Sequence, residues 1–442
     1  MKETMFNIPL WASIPFVIML LAIAIGPLVA EHWWEKNKNK LIVSLVLGIP
    51  TAIYLIINGM GEHVTHTLLF DYIPFIILLL TLFVITGGIH ISGDIKAKPS
   101  INTAFLGIGY VLASIMGTTG AAMLLIRPII RTNSQRKYTT HTILFFIAAV
   151  ANCGGLLTPL GDPPLFMLYL RGVEFTWFLK LLPEWAFTGA LLLSIYYIVD
   201  KHFYKKENWV SLAADSTETE PIRITGKINL LLLIGVVLSV AYINPGTITP
   251  MGNENAPVWL KFLREYILIT LVALSLFLTK KEVRKNNIFT WGPIIEVGYL
   301  FLGIFITMTP TLIYLTENAA SLGVKAPWQF YYSTGMLSSF LDNTPTAVAF
   351  YNLALGLVQN GLPDFLASSP MIGGVPEILL KAICTGAVFF GSMTYIGNGP
   401  NFMVKSIAEE NKIKMPSFFG YMTKFSLIIL LPIFIITQIL FV

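Results

Sequence analysis

Residues 154–167 read GGLLTPLGDPPLFM and residues 390–403 read FGSMTYIGNGPNFM. In register, Gly155/Gly391, Thr158/Thr394, Gly161/Gly397, Pro164/Pro400, Phe166/Phe402 and Met167/Met403 coincide. Both passages lie inside long apolar runs. Glycine and proline break helices there, where a freed backbone group finds no water to bond. Two related membrane helices broken at matching points imply a binding site at mid-depth, the arrangement of a transporter.

Composition agrees. The chain has 442 residues, 55% of them hydrophobic and 12% charged, with a mean hydropathy of +0.72. Soluble domains carry about 25% charge. The shortfall, with repeated apolar runs of about 20 residues, gives an all-α polytopic membrane protein. The net charge of +5 is not a nucleic-acid signal, and no nucleic-acid partner is expected. Cys153 and Cys384 both lie in apolar segments and read as small apolar residues. The opening MKET is weakly basic for a signal peptide, so the run 8–30 reads as a retained helix.

Apolar runs fall at 8–30, 41–59, 71–93, 141–170 (broken), 176–199, 226–244, 262–279, 292–316, 376–403 (broken) and 417–441. Two further segments, 101–131 and 328–358, are interrupted at Gly117–Gly120 (GTTG) and Asp342–Pro345 (DNTP). Their limbs, about 11–16 residues, are short for a span. Reading both as re-entrant hairpins places twenty Lys and Arg on one side and five on the other. The positive-inside bias makes the first side cytoplasmic and turns both termini outward. Residues 1–200 and 226–442 then hold the same six elements in opposite orientation. This is an inverted-topology repeat with two re-entrant hairpins and two broken transmembrane helices. The polar linker 201–225 reads as a solvated cytoplasmic connector. The hairpin tips align too, LASIMGTTGAAM (112–123) on LSSFLDNTPTAV (337–348).

LDNTP at one tip, with GDPP and GNGPN in the broken helices, resembles the ion transporter superfamily of arsenite permeases, sodium-coupled carboxylate symporters, citrate transporters and NhaD-type sodium/proton antiporters. The stretches IIEVGYLFLGIFITMTP (294–310) and SSFLDNTPTAVAFYNLA (338–354) look most like the NhaD-type antiporters. The resemblance covers nearly the whole chain. Carboxylate symporters of this group carry Ser-Asn-Thr at both tips, whereas the tips here read Gly117-Thr118-Thr119 and Asp342-Asn343-Thr344. A fixed carboxylate disfavours an anionic substrate and favours a cation or a proton.

Asp342 is the strongest candidate, since a carboxylate at membrane depth is costly; its plainer role is a helix N-cap. Asp162, at the place of Asn398, is a second candidate with the same plainer role. Asn343, Thr344, Thr118, Thr119, Thr158, Thr394 and Asn398 are neutral oxygen donors suited to a partly dehydrated cation. Sodium is expected at Asp342, Asn343 and Asp162. Asn401 is a candidate cap for the half-helix after Pro400. Glu296 and Arg127 are candidates for a proton path. His90 and His141 read as interfacial, His63, His66 and Glu62 as an external loop, and Trp33, Trp34, Trp177, Trp185, Trp259, Trp291 and Trp328 as interfacial anchors.

No Walker loop, zinc spacing or nucleophile triad occurs, so no enzyme and no cofactor are expected. The expectation is an inner-membrane secondary transporter exchanging sodium or lithium for protons by alternating access. Its partners are small inorganic ions and the bilayer, with a homodimer admitted. The alternatives are a sodium-coupled di- or tricarboxylate symporter, an arsenite or antimonite efflux permease, and a passive channel, which the broken-helix repeat disfavours.

Overall fold

The computed structural model describes residues 8–209, 215, 219–253 and 255–442. Residues 210–214 and 216–218 of the linker lie outside the described residues. Among the described residues eight helical stretches are long and apolar enough to cross a membrane. They are Leu10–Pro27, Asn37–Ile57, Gly61–Thr86, Pro99–Met116, Thr140–Leu157, Phe175–Tyr204, Gly292–Ser321 and Phe418–Phe441. Ile228–Tyr242 is apolar but shorter. Large apolar side chains such as Ile57, Ile198, Leu231 and Ile439 stand exposed on these helices. Bare apolar surface on this scale is uncharacteristic of a soluble monomer. The protein is a multi-pass helical membrane protein.

The longer helices of the first half are α1 (Ile14–Val29), α2 (Asn37–Ile57), α3 (Ile73–Thr86), α4 (Pro99–Met116), α5 (Thr118–Thr132), α6 (Thr140–Ala149), α7 (Pro163–Leu170) and α8 (Leu182–Tyr204). Those of the second half are α9 (Ile228–Tyr242), α10 (Leu263–Leu278), α11 (Gly292–Asn318), α12 (Pro327–Ser338), α13 (Asn343–Gln359), α14 (Glu377–Phe390), α15 (Gly399–Glu410) and α16 (Leu431–Phe441). One hydrophobic core runs from Phe16 to Phe434 and draws on both halves.

α4 and α5 meet at Gly117, whose φ of 81° lies in the left-handed region that glycine adopts without strain. α4 has 18 residues, longer than the limb expected there and sufficient for a span by length. α12 and α13 are separated by residues 339–342. The two doubled passages break alike. After α6 come a 3₁₀ turn (Cys153–Leu157), an extended Thr158 and an extended Asp162 before α7. After α14 come a 3₁₀ turn (Gly391–Met393), an extended Thr394 and an extended Asn398 before α15.

Three local expectations are corrected. Gly61–His66 is a helical turn, so Glu62, His63 and His66 do not lie in an open loop; Val64 buries there against Ile8, Ala12 and Leu55. The linker is not wholly a solvated connector. Its end forms strand β2 (Glu220–Thr225), rich in β-favouring Ile222, Ile224 and Thr225, paired antiparallel with β1 (His90–Asp94). Asp215 accepts from the Ala97 amide at 3.1 Å. Trp177 and Trp34 are buried rather than interfacial, and Trp177 Nε1 donates to Glu377 at 2.8 Å.

Candidate functional site

Pro163 and Pro164 open α7, and neither has an N–H. The Asp162 carboxylate at the helix start therefore has no amide to accept from at those positions, and it makes no cap bond. It turns inward instead and is fully buried. Oδ1 accepts from Thr118 Oγ1 at 2.9 Å and from Asn398 Nδ2 at 3.2 Å. Oδ2 accepts from Asn343 Nδ2 at 2.9 Å. Thr118 begins α5, Asn343 begins α13 and Asn398 precedes α15. One carboxylate thus ties together both interrupted segments and both broken helices.

Every donor to Asp162 is neutral. Among the described residues no Lys, Arg or His pairs with it. The charge that does act on it is a second negative one, Asp342, through space. Asp342 itself is the N-cap of α13, where it accepts from the Thr344 amide at 2.9 Å. The two aspartates thus divide the roles open to both in the sequence: Asp342 caps a helix, while Asp162 gathers the polar cluster. Among the described residues no three His, Cys, Asp or Glu side chains come together as a transition-metal cage would need.

The polar network extends beyond the residues read from sequence. Asn398 Nδ2 also lies 3.2 Å from Asn152 Oδ1, and Asn152 Nδ2 donates to Asn401 Oδ1 at 2.7 Å. Asn401 is not a cap; its amide donates to the Gly391 and Thr394 carbonyls at 2.8 and 2.9 Å, closing the unwound loop. Ser338 Oγ lies 2.5 Å from Asn343 Oδ1 and 2.7 Å from the Ala387 carbonyl. Asn152 had one local signal, an amide (ANCGG, 151–155) at the edge of a glycine break, but its partners are remote in sequence.

Thr158 and Thr394 fasten their own loops. Thr158 Oγ1 donates to the Ser114 carbonyl at 2.5 Å and accepts from the Leu160 amide. Thr394 Oγ1 donates to the Ser339 carbonyl and accepts from the Ile396 and Gly397 amides. In the sequence register Thr158 matches Thr394 and Ser114 matches Ser339, so the two fastenings correspond. The close approaches correspond as well. A Cβ on Gly161 would meet the Gly155 carbonyl, and one on Gly397 the Gly391 carbonyl at 2.5 Å.

Thr119 does not join the carboxylate cluster. With Thr118, Gly161, Phe75 and Leu82 it lines a mainly apolar cavity of about 80 Å³, large enough for water. Thr344 is buried in the first turn of α13. Glu296 stands apart, its Oε1 2.6 Å from Lys40 Nζ on α2. Arg127 is also apart from Asp162 and lines a basic basin at the far end of α5. His141 is buried within the protein and bonds Asp200 at 2.8 Å. Trp185 donates to the Gly154 carbonyl at 3.0 Å and braces the first break.

Apolar helices interrupted around a buried carboxylate that has no counter-charge among the described residues define a membrane transporter. The chain belongs to the family described as "Putative citrate transport", whose model matches residues 5–442. That family lies within the ion transporter superfamily to which the tip and loop motifs pointed. No curated protein matches the chain.

Proposed function

We propose that the protein exchanges sodium or lithium for protons across the cell's inner membrane by alternating access, with Asp162 as the shared binding carboxylate. The single observation that carries this is the Asp162 environment: full burial, three neutral donors, a nearby second acid and no basic partner among the described residues. A buried charge without compensation is costly. Either a proton or a bound cation removes that cost, and the two exclude each other on one carboxylate. Competition of this kind is the coupling of an antiporter. Asn343, Asn398 and Thr118 hold the carboxylate and can turn an oxygen toward a small cation.

The matched breaks, matched fastenings and matched glycine approaches support an inverted repeat of 1–200 and 226–442 joined by a cytoplasmic 201–225 linker. They also support treating α4–α5 and α12–α13 as re-entrant hairpins. Rocking of one half against the other would open the Asp162 cluster to each side in turn. Within the superfamily, this reading favours the NhaD-type branch. A second reading, cation-coupled di- or tricarboxylate symport, is favoured by the family's description. There Asp162 would hold the coupling cation, and Asp342 would repel the anion at the tip where the symporters carry serine.

The test is flux in proteoliposomes. Sodium, lithium, potassium, citrate and arsenite are added in turn while internal pH and labelled sodium are followed. Sodium- or lithium-driven proton movement that needs no citrate is the expected result. Sodium uptake that requires citrate would replace this reading with the symporter.

A further inference from the structure

The far ends of α5 and α15 enclose a basin of about 940 Å³ that the ion chemistry at Asp162 does not use. Arg127 and Arg131 face it from α5, Lys137 from the loop after α5, and Lys412 and Lys414 from the loop after α15. Among the described residues Glu410 is the one acid lining it. Arg136 also lines it but is taken up by Asp200, at 2.6 Å, and Glu207, at 3.7 Å. None of the other five cations forms an ion pair with a described carboxylate. The basin is therefore net positive, with Asp94 acting on Arg131 and Glu410 on Arg127 through space.

The backbone of its rim is unusual as well. Among the described residues only Ile288 and Lys412 combine a side chain with positive φ, at 53° and 62°. Both line this basin. A β-branched residue in the left-handed region is strained, and strain of this kind persists where surrounding structure holds it in place.

We infer that this basin binds a phosphate-type oxyanion, either free phosphate or the phosphate of an anionic lipid headgroup, which bridges α5 and α15. Two guanidinium forks match tetrahedral oxyanions, and the lysines supply point charge around them. The bridge joins the two helices whose opposite ends hold Thr118 and Asn398 against Asp162. Binding there does not depend on which ion Asp162 takes.

The experiment measures thermal stabilisation of the purified full chain. In detergent the probe is inorganic phosphate. In nanodiscs, phosphatidylglycerol is compared with phosphatidylcholine. The combined variant Arg127→Gln, Arg131→Gln, Lys412→Gln should lose roughly tenfold or more in apparent affinity. Lys36→Gln, Lys38→Gln, Lys280→Gln removes the same charge from exposed sites outside the basin and should leave affinity unchanged. Stabilisation by phosphate assigns the free ion, and stabilisation by phosphatidylglycerol alone assigns the lipid. Equal responses of wild type and the basin variant in both arms, equal losses in the two variants, or binding of citrate without either phosphate probe would overturn the inference.

Discussion

Replacing Asn343 by alanine separates the Asp162 cluster from a purely structural knot. The change removes the single donor to Asp162 Oδ2, at 2.9 Å, and leaves Thr118 and Asn398 on Oδ1. Ser338, which shares its proton between Asn343 and the Ala387 carbonyl, keeps the carbonyl. A hydrogen bond to a buried charge contributes about 1.5–3 kcal/mol. At 1.36 kcal/mol per unit this equals about one to two pH units. The sign follows from which form the amide serves: its N–H stabilises the ionised carboxylate, so without it a proton is held more tightly. The onset of exchange should therefore move to higher pH by about one to two units, and at fixed pH the apparent sodium KM should rise about ten- to hundredfold. Sodium-driven proton flux in proteoliposomes, followed against pH, reads both quantities. A folded Asn343→Ala protein with an unshifted profile, or one shifted to lower pH, would refute the reasoning.

Three further outcomes follow from the packing. Gly161→Ala drives a Cβ into the Gly155 carbonyl and should cost about 1–3 kcal/mol with loss of transport, whereas Gly399→Ala, with nothing within 4 Å of its Cβ, should melt and transport like the wild type. Glu296→Gln strands Lys40, whose side chain is 5% exposed. The partner acid is 38% exposed, which lowers the expected loss to about 1–3 kcal/mol, and exchange should survive in the folded protein. Loss of exchange without loss of stability would return Glu296 to the proton path. Ile288→Gly relieves a left-handed backbone at an exposed side chain and should raise stability by about 1 kcal/mol, read by thermal melting.

The helix breaks were legible in the sequence because Gly and Pro act on the backbone locally. Thr158 and Thr394, Gly161 and Gly397, and Asp162 and Asn398 were paired by register alone, and each pair occupies matching geometry. The division of labour between the aspartates was less legible. Asp342 and Asp162 both precede a helix, but Pro164 removes the amide that Thr344 offers Asp342, and the Leu165 amide bonds the Asp162 backbone carbonyl, which leaves the Asp162 side chain to the cluster. Asn152 and Asn401 were not singled out as cluster members because their side-chain partners come from distant segments or from backbone carbonyls, which leave no periodic trace. The β1–β2 pairing was hidden for the same reason, its strands lying more than a hundred residues apart. Glu296 read as a proton-path candidate, and its pairing with Lys40 emerges only when α2 and α11 are set side by side.

The central claim is that one carboxylate, Asp162, carries either a sodium ion or a proton. The direct measurement is sodium-driven proton flux, with labelled-sodium uptake, in proteoliposomes of Asp162→Asn beside Asp342→Asn. An amide at 162 keeps the shape but can neither release a proton nor balance a cation, so that protein should be folded and silent. An amide at 342 can still cap α13, so that protein should retain exchange, with an altered pH profile as the nearby negative charge disappears. Wild-type exchange by a folded Asp162→Asn protein, together with silence in Asp342→Asn, would contradict the account and move the binding carboxylate to the helix cap.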